Sequence, residues 1–137
     1  MAVYLSNGVV LTVNAVDLST LVSSVTINRS FDELEVTAMG DSGHKFVKGL
    51  EASSITIDFF NDADSAKTLQ TLNSSSVWGN SVTVTAKQTS AATSATNPLY
   101  TMSCLVNNTT PINGGVGDLS TQSVTWNVNG TIAVTTA

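Results

Sequence analysis

Seven residues, SITIDFF at positions 54–60, show the constraint that governs this chain. Ile55, Ile57 and Phe59 fall on one side of an extended backbone, Thr56 and Asp58 on the other. A period of two sends one set of side chains to a core and the other towards solvent. The pattern recurs along the chain. Val82, Val84 and Ala86 alternate with Thr83, Thr85 and Lys87; Val124, Trp126 and Val128 alternate with Thr125 and Asn127. Tyr100, Met102, Cys104 and Val106 alternate with Thr101 and Ser103, and Leu34, Val36 and Ala38 with Glu33, Glu35 and Thr37. Weaker strand signals lie at residues 9–13 (VVLTV), at 22–29 and in TIAVTT near residue 133. β-Branched and aromatic residues fill these segments, as pleated, half-buried surfaces require. The chain is therefore predicted to be mainly β, one domain over residues 1–137.

One segment departs from this rhythm. In NDADSAKTLQTL, Ala63, Ala66, Leu69 and Leu72 recur every three residues. That spacing predicts one short flanking helix over 63–72, with Asn61 or Asp62 as its N-cap. The stretches 89–98 and 107–118 and the pair Asn7-Gly8 read as turns.

A chain of 137 residues with 42% hydrophobic content and 2 prolines can bury a sizeable core. Only 11% of its residues are charged, against roughly 25% in an ordinary soluble domain. The net charge of −5 and the scatter of Arg29, Lys45, Lys48, Lys67 and Lys87 argue against tight DNA binding. The outward strand positions carry Thr, Ser and Asn rather than the Lys and Glu that usually guard sheet edges. Neighbouring copies covering these surfaces would explain that; a Ser/Thr-rich secreted sandwich is the other source of such a composition. Cys104 stands alone and within an alternating strand, so a buried, inert thiol is expected. The opening residues, MAVYLSNGVV, lack the basic start and apolar run of a signal peptide, and no apolar stretch is long enough to span a membrane as a helix. A protein made in the cytoplasm and kept soluble is expected.

The chemistry-bearing residues concentrate in GDSGHKFVKGL, at 40–50. Gly-Asp-Ser-Gly matches the nucleophile motif of chymotrypsin-like proteases. A serine nucleophile needs a positioned histidine base, however, and the one histidine, His44, lies two residues past Ser42 in the same Gly-flanked turn. No enzyme activity is expected. Asp58, Asp62 and Asp64 lack the glycine and glutamate of a calcium loop. No metal or cofactor is expected, and the scattered Asn-x-Ser/Thr sequons carry no information in a chain this rich in those residues. Asp41, Ser42, Gly43, His44, Lys45, Phe46, Val47 and Lys48 read better as a contact loop: an apolar pair amid mixed charge, ordering on its partner. A solvated tip with Phe46 tucked onto the core is the plainer alternative.

The string FDELEVTAMGDSGHKFVKGLEASSITIDFFNDADSAKTLQTL resembles the tail tube (major tail) proteins of long-tailed bacteriophages. The matching positions are Glu33, Val36, Thr37, Gly40, Asp41, Gly49 and Leu50. SVTWNVNGTIAV and VDLSTLVSSVTINRSFD are similar to the family's last strands and its opening, so the likeness runs from about Asp17 onward. It implies a small β-sandwich or barrel with one flanking helix, and rings, commonly of six subunits, stacked into a hollow conduit for the genome. A long loop, here 39–52, would reach the adjacent ring. The partners implied are further copies of the chain and tape measure, tail tip and tail terminator proteins, with DNA passing unbound. The location implied is the virion, after assembly in the host cytoplasm. Glu33, Glu35 and Asp58, outward by alternation, are the candidates for lumen-facing acids. A monomeric β-sandwich module for adhesion or decoration is the alternative, and would need an aromatic platform from Trp78 or Trp126.

Overall fold

The computed structural model describes residues 8–136. Asn7 of the expected turn and most of the stretch read for a signal peptide lie outside them. The fold is mainly β. In chain order the strands are β1 (Val10–Val13), β2 (Val16–Asp17), β3 (Val22–Asn28), β4 (Phe31–Glu35), β5 (Phe46–Glu51), β6 (Ser54–Phe60), β7 (Ser81–Lys87), β8 (Leu99–Leu105), β9 (Thr121–Asn127) and β10 (Ala133–Thr135). A 3₁₀ turn at Ser19–Leu21 precedes β3, and the helix α1 (Thr68–Leu72) follows β6.

These strands form three sheets, antiparallel throughout. Among the described residues, one has five strands in the order β10-β8-β7-β1-β2, one has three in the order β3-β6-β9, and β4 and β5 pair only with each other. The first two sheets share one core. Leu11, Val13, Val82, Val84, Met102 and Cys104 come from the five-stranded sheet; Ile55, Ile57, Phe59, Val124 and Trp126 come from the three-stranded sheet. Alternation decides this directly: in β6, β7 and β9 every second residue is buried and its neighbours are not. Trp126 is fully buried against Phe59, with ring centroids 6.4 Å apart, and its indole N–H donates to Asn108 O at 3.2 Å. A buried indole needs such an acceptor, because leaving its N–H unpaired would cost more than the bond itself gains.

The helix is shorter than its spacing predicts. Ala66 adopts φ 58°, a left-handed conformation that no helix interior tolerates in an L-residue. Residues 61–67 are therefore turn, tightened by the Asp62 carboxylate accepting the Asp64 N–H at 2.9 Å. Ala63 and Ala66 are exposed, and the N-cap is Lys67 without a side-chain cap bond, not Asn61 or Asp62. Thr68, Thr71 and Leu72 form the buried face instead, with Thr68 Oγ1 donating to Phe60 O at 2.8 Å.

Two further expectations fail together. Leu34 and Val36 were expected in the core, yet Leu34 is 52% exposed and every residue of β4 is exposed. The segment 39–52 was expected as one loop, but Phe46–Glu51 is a strand, paired with β4. Both follow from one cause: among the described residues β4 and β5 form a two-stranded ribbon of their own, with neither core sheet layered against β4.

Cys104 is fully buried, and that burial pushes its thiol up to about 12. In the native protein at about pH 8 it should resist a thiol-specific aromatic disulfide that modifies ordinary cysteines. Complete reaction in denaturant and negligible reaction in buffer is the expected result.

Candidate functional site: a projecting hairpin

The hairpin grows from the end of the three-stranded sheet. Its root is clamped by short bonds. Ala52 N–H donates to Ser30 O at 2.7 Å, and Ser30 Oγ donates to Ala52 O at 2.7 Å. Glu51 Oε2 accepts from Ser53 Oγ at 2.8 Å and from the Ile132 N–H at 2.9 Å, tying the hairpin to the segment leading into β10. These bonds hold the Glu51 carboxyl below its usual range.

Above the root, a bulge lies between Phe31 and Glu33. Gly49 faces it, and a Cβ at that position would stand 2.9 Å from both Asp32 Cβ and Asp32 O. Only glycine allows the two backbones to come this close.

Residues directly opposite one another in an antiparallel pair share a face. Glu33 faces Lys48 and Glu35 faces Phe46, so these four lie on one side, with Phe31. The Lys48 ammonium sits over the Phe31 ring at 5.5 Å, a favourable cation–π placement. Leu34 faces Val47 on the other side, and Val36, whose N–H donates to Lys45 O at 2.9 Å, continues that side by alternation. Phe31, Leu34, Val36, Phe46 and Val47 are each about half exposed, and Leu50 is 80% exposed. Both faces of the ribbon thus offer apolar surface to solvent.

The tip is ordered by polar side chains. Residues 38–41 make a turn in which the Asp41 N–H donates to Ala38 O, and Gly40 supplies φ 95°. Asp41 Oδ2 accepts the Ala38 N–H at 2.8 Å, and its Oδ1 pairs with Lys45 Nζ at 3.0 Å. Thr37 Oγ1 accepts the Lys45 N–H and donates to Glu35 Oε2 at 2.8 Å. Glu35 Oε2 also meets His44 Nδ1 at 2.6 Å, and the His44 ring leans on Phe46. Met39 stands fully exposed at the turn.

The expected contact residues 41–48 are therefore gathered on one element, though Phe46, Val47 and Lys48 are strand rather than loop. Asp41 and Lys45 pair with each other. Ser42 makes no hydrogen bond to His44 among the described residues; the histidine nitrogen is committed to Glu35. The three candidate lumen acids are not brought together: Glu33 and Glu35 share a hairpin face, while Asp58 lies on the outer face of the three-stranded sheet beside Ser24 and Ser123. Among the described residues no cluster of three His, Cys, Asp or Glu could hold a metal, and no helix is long and apolar enough to cross a membrane. Trp126 is buried, so it takes no part in an aromatic platform.

A second apolar surface was missed by sequence reasoning. Residues 107–120 first run beside β9, where Asn108 Nδ2 donates to Thr125 O and Gln122 Oε1 accepts the Thr110 N–H. They end where Asn61 N–H donates to Ser120 O. Ile112, Val116 and Leu119 on this stretch are largely or fully exposed. The register Ser54 opposite Asn127 and Phe60 opposite Thr121 puts this surface at one end of the sheet and the hairpin at the other. Seven residues of strand separate the ends by roughly 20 Å. The one signal for the hairpin's exposure was its acid content, since Asp32, Glu33 and Glu35 crowd a five-residue strand.

Hydrogen bonds hold Glu35 and Asp41 below the usual carboxylate range, Glu35 chiefly through His44 and Asp41 chiefly through the Ala38 N–H. Their support of the tip is complete above the ordinary carboxylate pKa of about 4 and is lost as pH falls through the lowered values. Amide exchange should show residues 36–45 loosening on acidification before β6 and β7 do. Simultaneous loosening would mean that these carboxylates do not hold the tip. No family model matches the chain, and neither does any curated protein sequence.

Proposed function

We propose that this is a structural, self-assembling protein of a long-tailed phage tail, whose copies form rings, six-membered by the resemblance, stacked into a tube through which the genome passes. The observation that carries the reading is a projecting ribbon with apolar side chains on both faces. A two-stranded hairpin is marginal in water, and apolar residues on both its sides give it no covered face of its own. Complete burial of a large apolar side chain is worth about 1.5–3 kcal/mol. Residues already half covered gain less, but five of them on one arm suffice for a contact repeated many times.

The placement of the two apolar ends supports a head-to-tail arrangement. A surface at one end of a sheet that meets a different surface at the other end is a heterologous contact, and such contacts repeat into rings or open stacks. The sheet faces suit burial between copies or an inert wall. On the outer side of the three-stranded sheet, Ser54, Thr56, Ser123, Thr125 and Asn127 surround Asp58. A surface without cations gives DNA phosphates nothing to hold, so a duplex can slide past it. The tape measure, tail tip and terminator proteins belong to the same proposal as partners of the tube's length and ends.

Concentrated purified protein, alone or with tail-tip and tape measure partners, should give rings or tubes by electron microscopy. Leu34→Asp combined with Phe46→Asp should leave the circular dichroism of the fold unchanged, since both side chains lie outside the core, and should abolish assembly. Tubes of normal length from this variant would remove the hairpin from the contact; absence of any assembly in the wild type under all these conditions would refute the function.

A further inference from the structure

Asn113-Gly114 and Asn129-Gly130 are the asparagine–glycine pairs that lie wholly within the described residues. Asparagine is thermolabile, and most so before glycine, where no side chain hinders the backbone nitrogen that follows it. The structure treats the pairs differently. The Asn129 N–H donates to Ser103 O at 2.7 Å, its Nδ2 donates to Ser81 Oγ, and the preceding Val128 N–H donates to Ser53 O at 3.0 Å. Asn129 is thus tied to β7 and β8, and its neighbour to the residue before β6. Asn113 lies outside any strand or helix and is exposed, and its side chain makes one bond, from Nδ2 to Thr121 O at 2.9 Å. Among the described residues, no hydrogen bond holds the backbone of Asn113 or of Gly114.

That difference decides which asparagine can react. The Gly114 backbone nitrogen, once its proton has gone to base in solution, attacks Cγ of the Asn113 side chain. A bond forms between that nitrogen and Cγ. The bond from Cγ to Nδ2 breaks, and Nδ2 leaves as ammonia with a proton from water. Water then opens the resulting succinimide at either carbonyl. One opening gives aspartate, the other isoaspartate, in which the main chain runs through the former side chain. The attack needs the backbone to turn and the side chain to swing free. At Asn113 one exposed bond opposes this; at Asn129 the bonds to two strands do.

The location gives the reaction a consequence. Asn113 sits among the exposed apolar side chains Ile112, Val116 and Leu119. Asp118 is the one charged residue of 107–120, and its carboxylate accepts the Gly115 N–H at 3.1 Å. We infer that Asn113 is a site of spontaneous deamidation, and that the carboxylate it creates disables this apolar surface as a contact. Burying an unpaired carboxylate against another molecule costs more than the neighbouring apolar groups return. Once the surface is covered, the backbone can no longer turn, so assembled copies are spared while free copies age. The modification stands on the local geometry alone; its effect on contacts rests on the reading of the protein as self-assembling.

Full-length protein, kept dilute at mildly alkaline pH and sampled over days, tests the site by peptide mass spectrometry that localises each change from amide to acid. Asn113 should convert at least about tenfold faster than Asn129, which must first open locally, and should yield both aspartate and isoaspartate. In denaturant the two should convert at similar rates. Equal native rates, or an Asn113 that stays intact, overturn the site. Contacts are read by electron microscopy. Aged wild type should lose assembly in step with conversion. Fresh Asn113→Asp should fail to assemble with its circular dichroism unchanged, and aged Asn113→Gln, whose longer side chain closes the ring far more slowly, should keep it. Normal tubes from Asn113→Asp overturn the effect on contacts. Fresh wild type that never assembles refutes the tube reading instead, and the conversion rates still decide the site.

Discussion

The pairing of β6 on both of its sides is the constraint on which the rest of this structure depends. Bonded to β3 along one edge and to β9 along the other, it is the central strand of its sheet among the described residues. Its inward residues Ile55, Ile57 and Phe59 are fully buried, and Phe59 reaches Trp126 on the neighbouring strand. A slip of one residue would turn this whole set to solvent and bring Thr56 and Asp58 inside, so the register is strongly specified. That same register sets where the chain leaves the sheet: the hairpin at the Ser54 end, the apolar stretch of 107–120 at the Phe60 end. Core packing and the placement of the two apolar surfaces at opposite ends of the sheet follow from one register.

The hairpin depends on this frame without packing into it. Its root is fixed by the Ser30–Ala52 bonds and by Glu51, whose carboxylate spans Ser53 and Ile132. The arm above is stabilised by its own cross-strand pairs and by the Glu35, Thr37 and His44 cluster. A clamped base with two unburied faces differs from a loose loop. It lowers the ordering cost of binding, because the direction of the arm and the strand pairing are already set. The unsatisfied part is apolar area, which is what a contact with another molecule supplies.

Much of the fold was legible because alternation is a direct readout of burial. SITIDFF, SVTVTAK and the strand around Trp126 are core strands for the reason their sequences state. ELEVTA misled because period two reports that a strand has two unlike faces, not that a second layer lies against one of them. Leu34 and Val36 alternate correctly and still face water. The helix misled for a local reason: three-residue spacing continues through Ala63 and Ala66, but the left-handed turn at Ala66 breaks it. That residues 41–48 belong to one projecting element was legible through their glycines and mixed charge. Their Glu35 partner was not, since a cross-strand bond between residues nine apart has no sequence signature.

The central claim is that the hairpin's apolar faces are exposed in the single molecule and covered in the assembly. Oxidative footprinting of methionine across a concentration series reads this most directly. Met39 at the tip is fully exposed, and Met102 in the core is buried, giving a probe and an internal control in one chain. Oxidation of Met39 should be fast in dilute protein and fall as concentration rises, while Met102 stays protected throughout. Slow oxidation of Met39 at every concentration would show the tip covered within the single molecule. Fast oxidation at every concentration, in protein that has assembled, would show that the tip meets no neighbour. Either result would contradict the account.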